Sequence, residues 1–219
     1  MRLALQYDAS RHALIAVAFL ASAIVLGGGG SSSPATEVVL QLLCAGALLA
    51  WLWVPAKSGG IPHPADRLTW VLCALVLALP LAHLIPLPPA IWTAAPGQES
   101  RVAALALVGE ADSWQPLSQS PPRTLASLLA VIPALFAFLA TASLPHRERF
   151  LVIAAIAVMV LASAMFGAVQ VSLGNAAPYL YAESHRSYLV GFQANRNAQA
   201  DVLLIGAAAA AFCLLPSLL

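Results

Sequence analysis

Six long apolar runs, near residues 13–28, 37–54, 68–87, 124–143, 150–173 and 198–216, leave this chain few ways to fold. A helix needs roughly 17–25 such residues to cross the ~30 Å hydrocarbon layer of a bilayer. No water is present there to satisfy the backbone, so only helices and closed barrels span it. Runs of this length are helices rather than strands, and they predict an all-α polytopic transmembrane helix bundle of about six spans, one domain over residues 1–219. Breakers divide the runs: Gly27 to Pro34, Pro55 to Pro62 with a sharp turn at Gly59-Gly60, the proline-rich stretch Pro86 to Arg123, Leu144 to Arg149, and Gly174 to Asn197. Composition agrees, since 61% of residues are hydrophobic and 9% charged, against about 25% charged in a soluble domain.

The ten Lys and Arg are too scattered to form the dense basic patch that a phosphate backbone requires, which argues against nucleic acid as a partner. They report topology instead. Arg2, Arg11, Lys57, Arg67, Arg147 and Arg149 fall on one side of the bundle, and Arg101, Arg123, Arg186 and Arg196 on the other. Basic residues are retained in the cytoplasm, so the N-terminus is predicted to be cytoplasmic and the two longest loops external.

The first span has Arg2 and Arg11 before it and Ala21-Ser22-Ala23 within it, as a signal peptide would. Those small residues lie inside the apolar run and five spans follow, so the span reads as a retained anchor. Cys44, Cys73 and Cys213 all fall within spans and read as packing residues rather than disulfides. No His/Cys/Asp/Glu spacing suggests a metal site, and Gly27 to Gly30 lacks the Gly-Lys-Ser/Thr ending of a phosphate loop. No cofactor is expected. The small side chains from Gly206 to Ala211 suit close helix packing.

The stretch from Pro86 to Arg123 is too long for a plain connector and carries Trp92 and Trp114. Short interfacial helices near 88–95 and 99–110 are expected, with tryptophan at the headgroup layer. The loop then either anchors the protein or walls a lipid-facing site in which Arg101 or Arg123 meets a phosphate.

A polar cluster, Arg186, Gly191, Asn195, Arg196 and Asn197, stands against the start of the last apolar run. Such residues are costly near lipid, so several together usually face a partner, a cavity or a charged ligand. Each also has a plainer reading. The arginines snorkel to headgroups, Asn195 caps the last helix, and Gly191 serves a turn of positive φ or a close backbone approach. Asp201 either pairs with one of the arginines or favours the helix N-terminus. His185 is a candidate base beside Arg186, although a loop histidine is usually solvated. His83 reads as a structural hydrogen-bonding residue, and His63 and His146 as loop residues.

The segment Arg186-Ser187-Tyr188-Leu189-Val190-Gly191-Phe192-Gln193-Ala194-Asn195-Arg196-Asn197 is similar to the Arg, Gly, Phe, Asn-x-Asn pattern of the O-antigen ligase and polymerase family. Pro86-Leu87-Pro88-Pro89-Ala90-Ile91-Trp92, Pro96-Gly97, Trp114-Gln115-Pro116-Leu117-Ser118 and Thr124 also resemble the external loop of one bacterial branch. The resemblance covers roughly residues 80–205. It implies a polytopic inner-membrane glycosyltransferase, metal-independent and cofactor-free, that takes a glycan from undecaprenyl diphosphate on the periplasmic face. The acceptor is a lipid A core in the ligases and another carrier-linked repeat in the polymerases.

Displacing a diphosphate from a sugar carbon builds negative charge on the leaving group, which guanidinium forks and amide donors can meet without a metal. On the resemblance, Arg186 and Arg196 hold the diphosphate, Asn195 and Asn197 orient it, and the last helix adds its positive end. Gln193 departs from the aromatic residue usual after Gly191-Phe192, and Ala198 from the histidine common after Asn197. The family's large periplasmic loop, with its activating histidine, has no counterpart before Leu219. The chain therefore reads as an N-terminal fragment, inactive alone, whose site a partner chain or a missing C-terminal half would complete. The alternatives are a non-catalytic membrane scaffold or assembly partner and, with Gln41, His83, Gln170 and Asp201 as the few polar groups in its spans, a small transporter.

Overall fold

The computed structural model describes residues 10–28, 34–55, 63–64, 66–182, 184–186 and 188–218. Arg2, Lys57, most of the glycine-serine run after Gly28 and the Gly59-Gly60 turn lie outside the described residues. Among the described residues there are eight α-helices: α1 (Arg11–Leu26), α2 (Pro34–Trp53), α3 (Arg67–Leu84), α4 (Pro89–Trp92), α5 (Glu99–Leu107), α6 (Pro121–Ser143), α7 (His146–Leu173) and α8 (Arg196–Leu218). Two short strands, β1 (Pro86–Leu87) and β2 (Gln115–Pro116), pair antiparallel. Five helices, α2, α3, α6, α7 and α8, are long and apolar enough to cross a membrane, and α1 is a shorter apolar helix of 16 residues. The chain is an all-α, multi-pass membrane protein, and each expected span has its helix.

Helix ends follow local chemistry. Ser10 caps α1 by accepting from the Ala13 N–H, and Asp66 caps α3 by accepting from Leu68 and Thr69. The two short loop helices fall within their expected ranges, as α4 and α5, and are shorter than anticipated; α5 ends where Gly109, at φ 75°, turns the chain.

The chain divides into two compact units, one formed by Met1–Ala65 with Phe136–Leu219 and the other by Asp66–Leu135. In the first, α1 runs antiparallel to α2 and parallel to α7. Small residues at Ala13 and Ala16 allow close approach, and Phe19, Cys44, Trp51, Phe136, Ala140, Leu144 and Val152 complete the core. Phe136 meets Phe19 and Trp51 edge-on, at centroid distances of 5.0 and 6.2 Å, a geometry that aromatic quadrupoles favour. At one end of α1, the buried Glu148 side chain accepts from the Ser10 N–H and hydroxyl at 3.2 and 2.6 Å. His12 is buried edge-on against Trp51, its Nε2 3.2 Å from the Trp51 carbonyl. Along α8, Gly206 lies so close to Val160 of α7 that no Cβ would fit. Gly206 and the buried Ala209 thus serve packing within the chain, while Ala207, Ala208 and Ala211 are exposed.

The second unit holds α3, the loop through α5 and β2, and the first part of α6. Its loop is compact. Trp92 is fully buried and its Nε1 donates to the Ser113 carbonyl, so it is a core residue rather than the outward anchor expected of it. Trp114 stays exposed.

Candidate functional site

The polar cluster of the sequence runs from the loop between α7 and α8 into the first turn of α8, and the structure splits it in two. Gly191 goes inward, while Arg186, Asn195, Arg196 and Asn197 remain exposed.

The inward part begins with a tight turn, Val190 to Gln193, closed by a 2.8 Å backbone hydrogen bond. Its first central residue, Gly191, has φ 56°. A Cβ there would collide with the Ser163 hydroxyl, lie 2.6 Å from the Ser163 carbonyl oxygen and 2.9 Å from Gln199 Nε2. Both readings of this glycine hold: the turn requires positive φ, and the approach to α7 excludes any side chain. Gly167 makes room in the same way, because a Cβ there would meet Leu189 at 2.8 Å and the Gly191 nitrogen at 3.1 Å.

Irregular backbone among membrane-spanning helices persists only where protein satisfies its polar groups, and two buried side chains, Gln170 and Ser163, do so here. Gln170 accepts from the Gly191 N–H at 2.9 Å and donates to the carbonyls of Gly191 and Pro178 at 3.2 and 3.1 Å. Ser163 accepts from the Phe192 N–H at 3.1 Å and donates to Gln199 Oε1 at 3.0 Å. Gln199 Nε2 has no partner among the described residues. Ser163 lies ten residues before the end of α7, about 15 Å of helical rise, so the loop reaches well down the helix.

The same loop finishes α1, whose last carbonyls have no partner within the helix. Tyr181 donates to Val25 and Leu26 at 3.1 and 3.0 Å, Gln193 Nε2 to Ile24 at 3.1 Å, and the Ala194 N–H to Gly28 at 3.0 Å. Gln193 is therefore a helix-terminating residue in this chain.

On the exposed side, Arg186 stacks over Tyr179 at 5.8 Å and Arg196 over Tyr188 at 4.4 Å. Each contact is worth about 0.5–1 kcal/mol at an exposed site. Neither guanidinium has a hydrogen-bond or carboxylate partner among the described residues. Asn195 Oδ1 accepts from the Asn197 N–H at 2.8 Å and so caps α8. Asn197 contributes its backbone to that cap, and its side chain is exposed. The His185 N–H donates to Ala194 at 2.9 Å, which draws the backbone next to Arg186 against the backbone just before Asn195. The His185 side chain is exposed, as is that of Asp201. What this arrangement offers chemically is two ring-supported cations with no ion-pair partner among the described residues, beside a helix N-terminus, a setting suited to an anion.

Arg101 presents the opposite case. Its guanidinium donates to Pro116 and Ser118 carbonyls at 2.8 and 3.1 Å and to Gln115 Oε1 at 2.8 Å, and it lies 5.4 Å over Trp92. It binds its own loop together and is not presented to a phosphate. Arg123 is exposed in the first turn of α6. His83 Nδ1 is 2.8 Å from the Leu79 carbonyl, the structural role expected of it.

Gln170, Ser163, Gln199 and Tyr181 are the residues that sequence reasoning did not single out for this loop. Isolated amides inside apolar runs are the signal for two of them. Among the described residues no group of His, Cys, Asp and Glu is placed to hold a metal ion. Comparison of the chain with protein-family models, with curated proteins and with solved structures finds no match.

Proposed function

We propose that the loop between α7 and α8 recognises the diphosphate of a lipid-linked glycan, in a ligase-like protein of the bacterial inner membrane whose N-terminus is cytoplasmic. The observation that carries this reading is the state of Arg186 and Arg196. Each is exposed, held over a tyrosine ring and without an acidic partner among the described residues. A snorkelling arginine needs no aromatic support, whereas a guanidinium held in place on a ring loses less freedom on meeting an anion. The capped N-terminus of α8 adds positive potential at the same face. In this reading undecaprenyl diphosphate is the donor carrier. The chain contributes the leaving-group side of a glycosyl transfer to a lipid A core or a growing glycan. Asn195 acts through the cap that sets the start of α8, and Asn197 offers an exposed amide to a phosphate oxygen.

The test is thermal stabilisation of the purified chain in lipid nanodiscs by a polyprenyl diphosphate, with the matching polyprenol as control. The diphosphate is expected to raise the unfolding temperature and the polyprenol to leave it unchanged, because only ligands that prefer the folded state stabilise it. Arg186→Ala is expected to weaken the effect about 10- to 100-fold in concentration, the equivalent of a lost charge-assisted hydrogen bond. Equal stabilisation by diphosphate and polyprenol would refute the reading and favour a non-catalytic scaffold.

A further inference from the structure

We infer that Gln170 is a positioning residue for the arginine-bearing lobe, a single-amide clasp that holds the lobe in its anion-receiving shape; what the lobe receives rests on the diphosphate reading above. Gln170 is fully buried in α7, and its amide makes one accepted and two donated hydrogen bonds, all to loop backbone. The partners are Pro178 at one end and Gly191 at the other, thirteen residues apart, so one side chain ties both ends of the segment to the same point. Between those ends lie Tyr179, Arg186 and Tyr188, three of the four members of the two ring-stacked pairs. The fourth, Arg196, belongs to α8. Holding Tyr188 against it requires that the 178–191 segment keep one position relative to that helix.

The chemistry of the side chain fits the task. A glutamine amide carries two donors and an acceptor in one plane, which is the set needed to receive an N–H and serve two carbonyls. Leucine would be cheaper to bury in an apolar helix, because an amide there is tolerated only when fully paired. Other attachments of the loop, from Ser163 to Phe192 and from Tyr181, Gln193 and Ala194 to the end of α1, do not involve Gln170. Loss of the clasp therefore loosens the lobe and leaves the bundle folded.

The experiment compares wild type with Gln170→Leu and Gln170→Asn, the full chain of each reconstituted in nanodiscs. Asparagine keeps the amide but is one methylene too short to serve both ends, so it supplies the answer if Gln170→Leu does not fold. Three quantities are read: trypsin cleavage after Arg186, identified by the mass of the fragment ending there; the dissociation constant for a polyprenyl diphosphate; and the melting temperature. Cleavage is expected to accelerate about tenfold or more, following the gain in open loop, and the dissociation constant to rise severalfold, following the reciprocal of the competent fraction that remains. A melting temperature close to wild type accompanies both. Unchanged cleavage in a folded variant would overturn the clasp. So would faster cleavage matched by an equal loss of protection throughout the bundle, because that is the mark of a merely structural residue. Faster cleavage confined to the lobe, in a protein whose wild type ignores the diphosphate, would leave the clasp standing and remove the diphosphate reading.

Discussion

The two described loops that follow membrane-spanning helices use similar residues in opposite ways. Residues 85–120 and 174–195 each carry one arginine together with glutamine, proline and aromatic side chains. In the first, the cation holds the loop. Arg101 donates to Pro116, Ser118 and Gln115, lies against the buried ring of Trp92, and sits at the centre of a small self-contained fold with a two-residue ladder. In the second, the loop holds the cations. Its anchors are side chains of neighbouring helices and the carbonyl end of α1, while Arg186 and Arg196 rest on rings with no hydrogen bond committed to the protein among the described residues. Counting an arginine's committed donors thus separates a structural keystone from an uncommitted cation.

Substitution can break this contrast, beginning where the effect is largest. Gly191→Ala combines a left-handed backbone with a collision against Ser163, and the two together are expected to cost about 2–5 kcal/mol. Gly109→Ala in the other loop shares the positive φ but meets nothing within 4 Å, so about 1–2 kcal/mol is expected. Hydrogen exchange in nanodiscs would read both, and equal losses would deny that the 174–195 loop is inserted between helices. Next comes Arg101→Ala, which leaves two carbonyls and an amide oxygen without their charged donor. Residues 85–120 are expected to lose about 2–3 kcal/mol of local protection, and unaltered exchange there would demote Arg101 from keystone to bystander. Gln193→Leu uncovers the Ile24 carbonyl, with about 1–2 kcal/mol lost at the end of α1. Arg186→Ala stands at the small end, at about 0.5–1 kcal/mol, the worth of its exposed contact with Tyr179.

The contrast also shows which parts of the molecule a reader of the sequence could see. All six apolar runs are helices because an uninterrupted apolar stretch of this length has no other stable form in lipid. Gly191 and Asn195 were legible because a positive-φ turn and a helix cap draw on very few residue types. Gln170, by contrast, lies in α7 as one amide among apolar neighbours, and nothing local indicates that its partners are Pro178 and Gly191. Tyr181 and Gln193 reach α1 across sequence separations of 155 to 169 residues. Arg101 and Arg186 look alike in sequence because the direction an arginine points is set by packing, not by its neighbours along the chain. Trp92 was expected at the headgroup layer for the same reason, and is instead the centre of its loop.

The most direct test of the central claim is a titration of the reconstituted chain with a polyprenyl diphosphate, comparing wild type, the double variant Arg186→Ala/Arg196→Ala and Arg101→Lys. Saturable binding is predicted for wild type and for Arg101→Lys, with binding lost in the double variant while its melting temperature holds. Undiminished binding in the double variant would contradict the claim that the 174–195 loop holds Arg186 and supports Arg196 for an anionic ligand.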